Sequence, residues 1–298
     1  MNVIPAKLTF FLMTQKGFRV LKSFLDEFGR ARIDCVIGSK DANVQNDFYS
    51  EIADLCAERA VIFKDRSSCQ GLQTDYAFAV SWRWKIRNSA RLIVFHDSVL
   101  PRYRGFAPLP TALINGEERI GVTALFASDE YDSGDIILQK STAISYPIKI
   151  QKAIEISCEL YVDLVSEISR IIFSGDSLAS RKQDESGASY SLWRDDEDYR
   201  VDWSSSTEKI KRFIDSVGYP YRGALTALNG EPVRIFDAEI EPDVKIEDRI
   251  PGKVIFVRDN CPVIVCGSGL LKITDLQDNE GHSLLPLRKF RSRFANPE

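Results

Sequence analysis

Histidine and methionine are scarce, with two of each in 298 residues. Two histidines leave too few imidazoles for a zinc cluster. The six cysteines, Cys35, Cys56, Cys69, Cys158, Cys261 and Cys266, form no CxxC pair. Structural, reduced thiols are therefore expected, and no metal. The longest early apolar run, Leu8 to Met13, is far too short to cross a membrane, and no basic-plus-apolar leader precedes it. A cytoplasmic protein with no membrane partner is expected. GxGxxG and GxxxxGK[ST] are both missing. The opening turn reads Met13-Thr14-Gln15-Lys16-Gly17, which disfavours nicotinamide and phosphate-loop chemistry. Nor is there an excess of one charge: the formal net value is −4. That balance argues against a general nucleic-acid surface.

What is present is a globular composition, 44% apolar and 28% charged, in a chain long enough for two domains. Short apolar runs at Leu8 to Met13, Ile33 to Ile37, Ala77 to Val80 and Leu92 to Phe95 read as buried strands. Phe18, Leu21, Leu25 and Phe28 recur at helical spacing between the first two. Asn46 is expected to cap a helix that buries Ile52, Leu55 and Cys56. This alternation predicts an α/β fold, a Rossmann-like, mostly parallel sheet with helices on both faces. Ligands of such sheets lie beyond the carboxyl ends of the strands. A long helix is expected over Gln151 to Ile172, with Ile154, Cys158, Tyr161, Val165, Ile168 and Ile172 on one face. Ser174 to Ser189 reads as a connection. A helix over Thr207 to Val217 then leads into short strands separated by Asn229-Gly230 and Gly267-Ser268-Gly269 turns, the pattern of a small OB-like β barrel. The expected division is 1–200 and 201–298.

His96 is placed where β-strand spacing ends, before Pro101. Its imidazole can accept a proton near neutral pH, and a carboxylate can orient it. Two sources exist: Asp97, whose side chain is expected on the opposite strand face, and the acidic loop Ser128-Asp129-Glu130-Tyr131-Asp132-Ser133-Gly134-Asp135. Asp132 and Asp135 lack the surroundings of a calcium loop.

The run His96-x-Ser98-x-Leu100-Pro101-x-Tyr103-Arg104-Gly105-x-Ala107-Pro108 resembles the catalytic motif of folate-dependent formyltransferases, which include methionyl-tRNA and sugar N-formyltransferases. Asn115-Gly116-Glu117, Gly121-Val122-Thr123 and Asp132-Ser133-Gly134-Asp135-Ile136 continue the likeness in order. Tyr219 to Ala224 and Ile250 to Val254 resemble the family's smaller C-terminal domain. The resemblance implies an enzyme that moves a formyl group from N10-formyltetrahydrofolate to an amine. It implies His96 in proton transfer, with Asp132 holding and polarising it. It implies folate contacts from Ser81, Trp82, Arg83, Trp84 and Ile86, from Arg104 and Gly105, and from Asp129, Glu130 and Tyr131.

One position departs from the family. Asparagine usually stands two residues before the histidine, and here it is Val94, on the same strand face. Valine has no donor for a formyl oxygen. Three readings stay open: another donor, Ser98 or Asn115, replaces it; the formyl-folate is hydrolysed or a different acyl group moved; or the protein binds its ligand without turnover. For the acceptor, the balanced charge favours a small molecule, a nucleotide-linked amino sugar, over tRNA. Arg102, Tyr103, Arg194 and Arg222 are the expected substrate contacts. A homodimer is one open assembly state.

Overall fold

The structure, a computed structural model, describes residues 6–68, 74–86 and 91–295; Cys69 lies outside them. In chain order the elements are β1 (Leu8–Leu12), α1 (Thr14–Phe28), β2 (Ile33–Gly38), α2 (Tyr49–Glu58), β3 (Phe63–Asp65), β4 (Tyr76–Val80) and β5 (Arg91–His96). Then follow β6 (Arg104–Gly105), α3 (Pro108–Ile114), β7 (Arg119–Phe126), β8 (Ile136–Ala143), α4 (Ile150–Ser174) and β9 (Tyr190–Ser191). The remainder is α5 (Thr207–Val217), β10 (Ala224–Leu228), β11 (Glu231–Glu241), β12 (Val254–Arg258), β13 (Cys261–Val265), β14 (Leu270–Gln277) and β15 (Phe294–Ala295). No helix among the described residues is long and apolar enough to cross a membrane.

The chain forms two compact units. The first comprises Met1–Pro108, Arg119–Ala143 and Ile154–Ser191. The second comprises Leu109–Glu118, Ile144–Ala153 and Leu192–Glu298.

The first unit is α/β and Rossmann-like, on a seven-stranded sheet ordered β3-β2-β1-β4-β5-β7-β8. Pairing is parallel from β3 through β5 and antiparallel from β5 through β8, so the sheet is mixed. Alternation along the strands sorts side chains to two faces. Phe10, Val36, Phe78 and Phe95 enter one cluster with Leu21 and Phe24 of α1, Ile52 and Cys56 of α2, and Tyr161, Val165 and Ile168 of α4. Each fully buried large apolar side chain there contributes about 1.5–3 kcal/mol relative to exposure. Phe11, Cys35, Ile37, Ala77 and Ala79 form the other cluster, against which Trp82, Ile86 and Val94 pack. Helices were expected over both faces. Here α1, α2 and α4 share one cluster, and Trp82 and Ile86 of the segment after β4 pack against the second together with Leu92 and Val94 of β5. The helix start also differs from expectation. Asp47 Oδ1 accepts from the Tyr49 N–H at 2.9 Å, while Asn46 Oδ1 serves Phe48 just before the helix at 3.1 Å.

The second unit is smaller, built on an antiparallel sheet ordered β12-β13-β14-β11-β10-β15. Its end strands meet: Lys253 bridges Arg293, and the Phe294 N–H donates to the Gly252 carbonyl at 2.7 Å. The sheet therefore curls onto itself. α5 buries Ile210, Ile214 and Val217 against Ile235, Ile273 and Leu276 inside it.

Candidate active site

β5 delivers His96 to the carboxyl end of the first unit's sheet, where the residue is 7% exposed. Its Nε2 is 2.7 Å from the Tyr103 carbonyl oxygen, and its Nδ1 is 3.5 Å from Asp132 Oδ1. Both neighbours are acceptors. A neutral imidazole has one N–H and satisfies one of them; an imidazolium satisfies both. Of the two carboxylates considered, Asp132 therefore faces the ring, and Asp97 turns to Lys16 Nζ.

Asp132 is held from several directions. Its Oδ2 accepts from the Gly105 N–H at 2.9 Å, and its carbonyl accepts from Gln183 Nε2 at 2.7 Å. The same Gln183 amide reaches the Gly134 carbonyl at 2.8 Å. Two glycines are needed here. A Cβ on Gly134 would meet the Phe126 carbonyl oxygen at 1.8 Å, and one on Gly105, at φ +95°, would meet the Ser191 carbonyl oxygen at 2.7 Å. Non-glycine residues with positive φ gather at the same end of the sheet: Thr14 after β1, Ser81 after β4, Tyr103, and Asp132 itself at φ 55°. Strained backbone of this kind concentrates at functional sites.

The segment after β4 and the acidic loop come together. Lys85 Nζ donates to the Asp129 carbonyl at 3.2 Å and lies 5.6 Å from the Tyr131 ring centroid. Tyr131, half exposed, pairs with Phe106 at 5.7 Å. The Glu130 carbonyl accepts from the hydroxyls of Ser128 and Ser133. Trp82 packs edge-on against Phe11 and Trp84, at 5.1 and 5.2 Å. Arg66 stacks over Trp84 at 4.0 Å, and Arg83 is paired with the buried Asp41. Among the described residues the buried Trp82 Nε1–H has no acceptor.

Other expected contacts are already committed. The Arg104 guanidinium, 1% exposed, donates to both carboxylate oxygens of Glu185 and to Gln183 Oε1. It ties the 183–185 segment to β6. The hydroxyl of Ser98 donates to the Arg102 carbonyl at 2.7 Å and its N–H to the His96 carbonyl at 2.9 Å. Ser98 thus closes a turn, and both its donors are spent. The Arg102 guanidinium lies 5.1 Å from the Tyr103 ring. Val94 packs among Leu100, Leu125 and Ile136 as well as the Trp82 cluster, so the position two residues before His96 is an apolar wall. Asn115, Arg194 and Arg222 belong to the second unit. There Arg222 pairs with Asp196 at 3.1 Å, and Arg194 reaches the Asp198 carbonyl and Thr111 Oγ1 only at 3.4 Å. Gln183 and Lys16 escaped sequence reasoning; both act on partners far away in the chain, and neither has a local signature.

Residues 86–153 match the formyl transferase family model, and residues 194–292 match the model for the formyl transferase C-terminal domain. The chain belongs to the folate-dependent formyltransferase superfamily. Among curated members, the methionyl-tRNA formyltransferase of Syntrophomonas wolfei is 31% identical over 200 residues, 67% of this chain and 62% of the relative. The chain thus spans under two thirds of that formyltransferase's length. HypX from Aquifex aeolicus, solved in complex with tetrahydrofolic acid, superposes with a TM-score of 0.65 at 21% identity, covering 95% of this chain and 46% of HypX. The sugar 3N-formyl transferase WlaRD, solved in the presence of dTDP and 5-N-formyl-THF, gives 0.67 at 17% identity, covering 90% of this chain and 96% of WlaRD. At these identities the superpositions show the shared formyltransferase fold. The expectation that tRNA is an unlikely partner is corrected by curated relatives that are methionyl-tRNA formyltransferases at 28–33% identity, which make a tRNA substrate plausible. Net charge was the wrong quantity: a balanced total says nothing about local patches.

Proposed function

We propose that this formyltransferase-family protein moves the formyl group of N10-formyltetrahydrofolate to an amine, with methionyl-tRNA the first acceptor to test. The carrying observation is the buried His96–Asp132 pair within the segment that matches the family model. The amine attacks the formyl carbon and forms the new C–N bond. Negative charge collects on the formyl oxygen until the bond to folate N10 breaks, and the amine's proton ends on that nitrogen. The imidazole is placed to carry the proton from the amine towards N10, and Asp132 orients the ring.

The segment after β4 fits a flat heteroaromatic ring: Trp82 and Trp84 supply aromatic surface, and the Trp82 Nε1–H, without an acceptor among the described residues, supplies a donor. Ser81, Trp82, Arg83, Trp84, Ile86, Gly105, Asp129, Glu130 and Tyr131 are the proposed folate contacts. The catalytic domain is assigned to 1–200, and the helix and small barrel to 201–298. The five described cysteines are all free, which suits a cytoplasmic setting.

The tRNA reading gains support from a local run in the second unit. Arg288, Lys289, Arg291 and Arg293 are all exposed, and no acidic residue lies between Gly281 and Pro297. Cations so placed favour phosphate, with a strong salt dependence. A nucleotide-linked amino sugar is the second reading. It is favoured by Arg194, whose buried Nε–H has no partner among the described residues and whose hydrogen bonds to the Asp198 carbonyl and Thr111 Oγ1 are long, a guanidinium suited to a phosphate.

The test incubates purified protein with N10-formyltetrahydrofolate and either methionyl-tRNA or a panel of amino-sugar nucleotides, reading formylated product by mass. Tetrahydrofolate release without acceptor would establish a hydrolase instead. Folate binding with no turnover under any condition would leave a binding protein.

A further inference from the structure

Behind β5, on the face covered by α1 and α4, polar groups converge on the two residues that flank His96. Lys16, in the first turn of α1 and 6% exposed, donates from Nζ to Asp97 Oδ2 at 2.5 Å. Tyr161, on the buried stripe of α4, donates its hydroxyl to the Phe95 carbonyl at 3.1 Å. The Lys16 ammonium lies 5.8 Å from the Tyr161 ring centroid. The backbone before His96 is thus tied to one helix and the side chain after it to another. Such a pair is a poor source of stability, since desolvating two charges offsets most of their attraction. Apolar side chains would pack there at lower cost.

We propose that Lys16, Asp97 and Tyr161 are positioning residues for His96: together they fix the chain from Phe95 to Asp97 and set a balanced charge pair behind the imidazole. The inference rests on the formyl-transfer reading for its kinetic consequence alone.

The groups around His96 are Asp132 from the β7–β8 loop, Asp97 beside it, Lys16 from α1, Tyr161 and Cys158 from α4, and Arg102 and Tyr103 from the following turn. Arg104 is committed to Glu185. Burial pushes the Cys158 thiol up to about 11. Burial, reinforced by the charge of Asp97, holds the Tyr161 hydroxyl well above the ordinary phenol value. Both are neutral near pH 7, so Lys16 and Asp97 are the buried charges behind the ring.

The two-histidine composition makes a direct test available. Proton NMR titration follows His96, with His282 as an internal control. Lys16→Met leaves the Asp97 charge unopposed, and the His96 midpoint moves up. Asp97→Asn leaves the Lys16 charge unopposed, and the midpoint moves down. Each displacement is expected to be about half a pH unit or more. The double variant returns close to wild type, and Lys16→Arg stays there. Tyr161→Phe moves no charge; it lowers kcat about tenfold while leaving the midpoint and the KM for formyl-folate in place. Displacements of the same sign in the two single variants, or none, overturn the proposal. So does an unaltered kcat in Tyr161→Phe when the wild type turns over. If Lys16→Met fails to fold, Asp97→Asn and the double variant carry the same comparison. The titration needs no turnover, so a wild type without formyl transfer would end the functional reading and leave this result standing.

Discussion

The protein's two histidines each face an aspartate, and the closer pair is the less consequential one. His282 Nδ1 is 3.1 Å from Asp278, with the imidazole side chain 77% exposed. His96 Nδ1 is 3.5 Å from Asp132, with side chains 8% and 11% exposed. Water and salt screen the first pair to almost nothing. The second lies where fixed charges act strongly. The routes to contact differ too. Asp278 and His282 share one turn, in which Asp278 also accepts the N–H groups of Glu280 and His282. The other pair exists because β5, β7 and the Gln183 contact all form. Asp278, Glu280 and His282 offer three possible metal ligands within 4.8 Å, yet two of the three are exposed, and close carboxylates in a surface turn are ordinary. Burial and long-range placement, more than distance, separate a candidate catalytic pair from a solvated turn.

The sharpest way to break this contrast is to delete each imidazole. His96→Ala should lower formyl transfer about 10²–10⁴-fold, the usual range for a proton-transfer residue. His282→Ala should leave the rate within about twofold, since an exposed pair contributes little. Steady-state kinetics with the same acceptor reads both. Equal losses would mean that burial does not distinguish the pairs. Asp132→Asn comes next. The amide keeps the size and an acceptor for the Gly105 N–H but removes the charge facing Nδ1. A fall of about 10–10³-fold in kcat, with little change in the KM for formyl-folate, is expected. A selective rise in KM would make Asp132 a binding residue instead.

The same distinction explains what the sequence made legible. Helices and strands with a local period were readable: α5 spans Thr207–Val217 in both pattern and structure, and the α4 stripe from Ile154 to Ile172 is buried. The Val94 departure was readable because residues two apart on a strand share a face, and in the sheet Val94 and His96 pair with Leu125 and Thr123. Contacts across the fold were not. Nothing near Arg104 announces that Glu185 and Gln183 will enclose it, and nothing near Lys16 announces Asp97. β10, Ala224–Leu228, lacks a strong strand pattern and is a strand because it pairs along its length with β11; β15 has only two residues and is a strand because β10 lies beside it. The Arg288 to Arg293 run was visible but was averaged away in a balanced charge total.

Arg104 and Arg222 extend the comparison from histidines to arginines. Arg104 is 1% exposed and satisfies Glu185 and Gln183; Arg222 is half exposed and holds the exposed Asp196. Arg104→Met should cost about 2–3 kcal/mol, because Gln183 Oε1 loses its donors and the 183–185 segment loses its anchor. Glu185 itself is 69% exposed and regains water, which keeps the loss below that of a fully buried pair. Arg222→Ala should change stability by less than about 0.5 kcal/mol. Denaturant unfolding of both variants decides the matter, and a costly Arg222→Ala would reverse the ranking.

The smallest effect concerns the exposed pair itself. Backbone hydrogen bonding from His282, then its imidazole and the Glu280 N–H, outweigh desolvation and hold the Asp278 carboxyl below the ordinary aspartate value. A carboxyl depressed by folding contributes stability that is present above its unfolded value and is lost as pH falls through the folded one. Asp278→Asn should therefore leave stability near neutral pH slightly lower and make it less sensitive to acidification through the aspartate range. At strongly acid pH the variant and wild type should converge, since the wild-type carboxyl is then protonated as well. Tm measured across an acid series in the two proteins tests this directly. A difference that instead widened as pH fell would show that Asp278 acts through packing of the turn, and the exposed pair would then be more than a solvated contact.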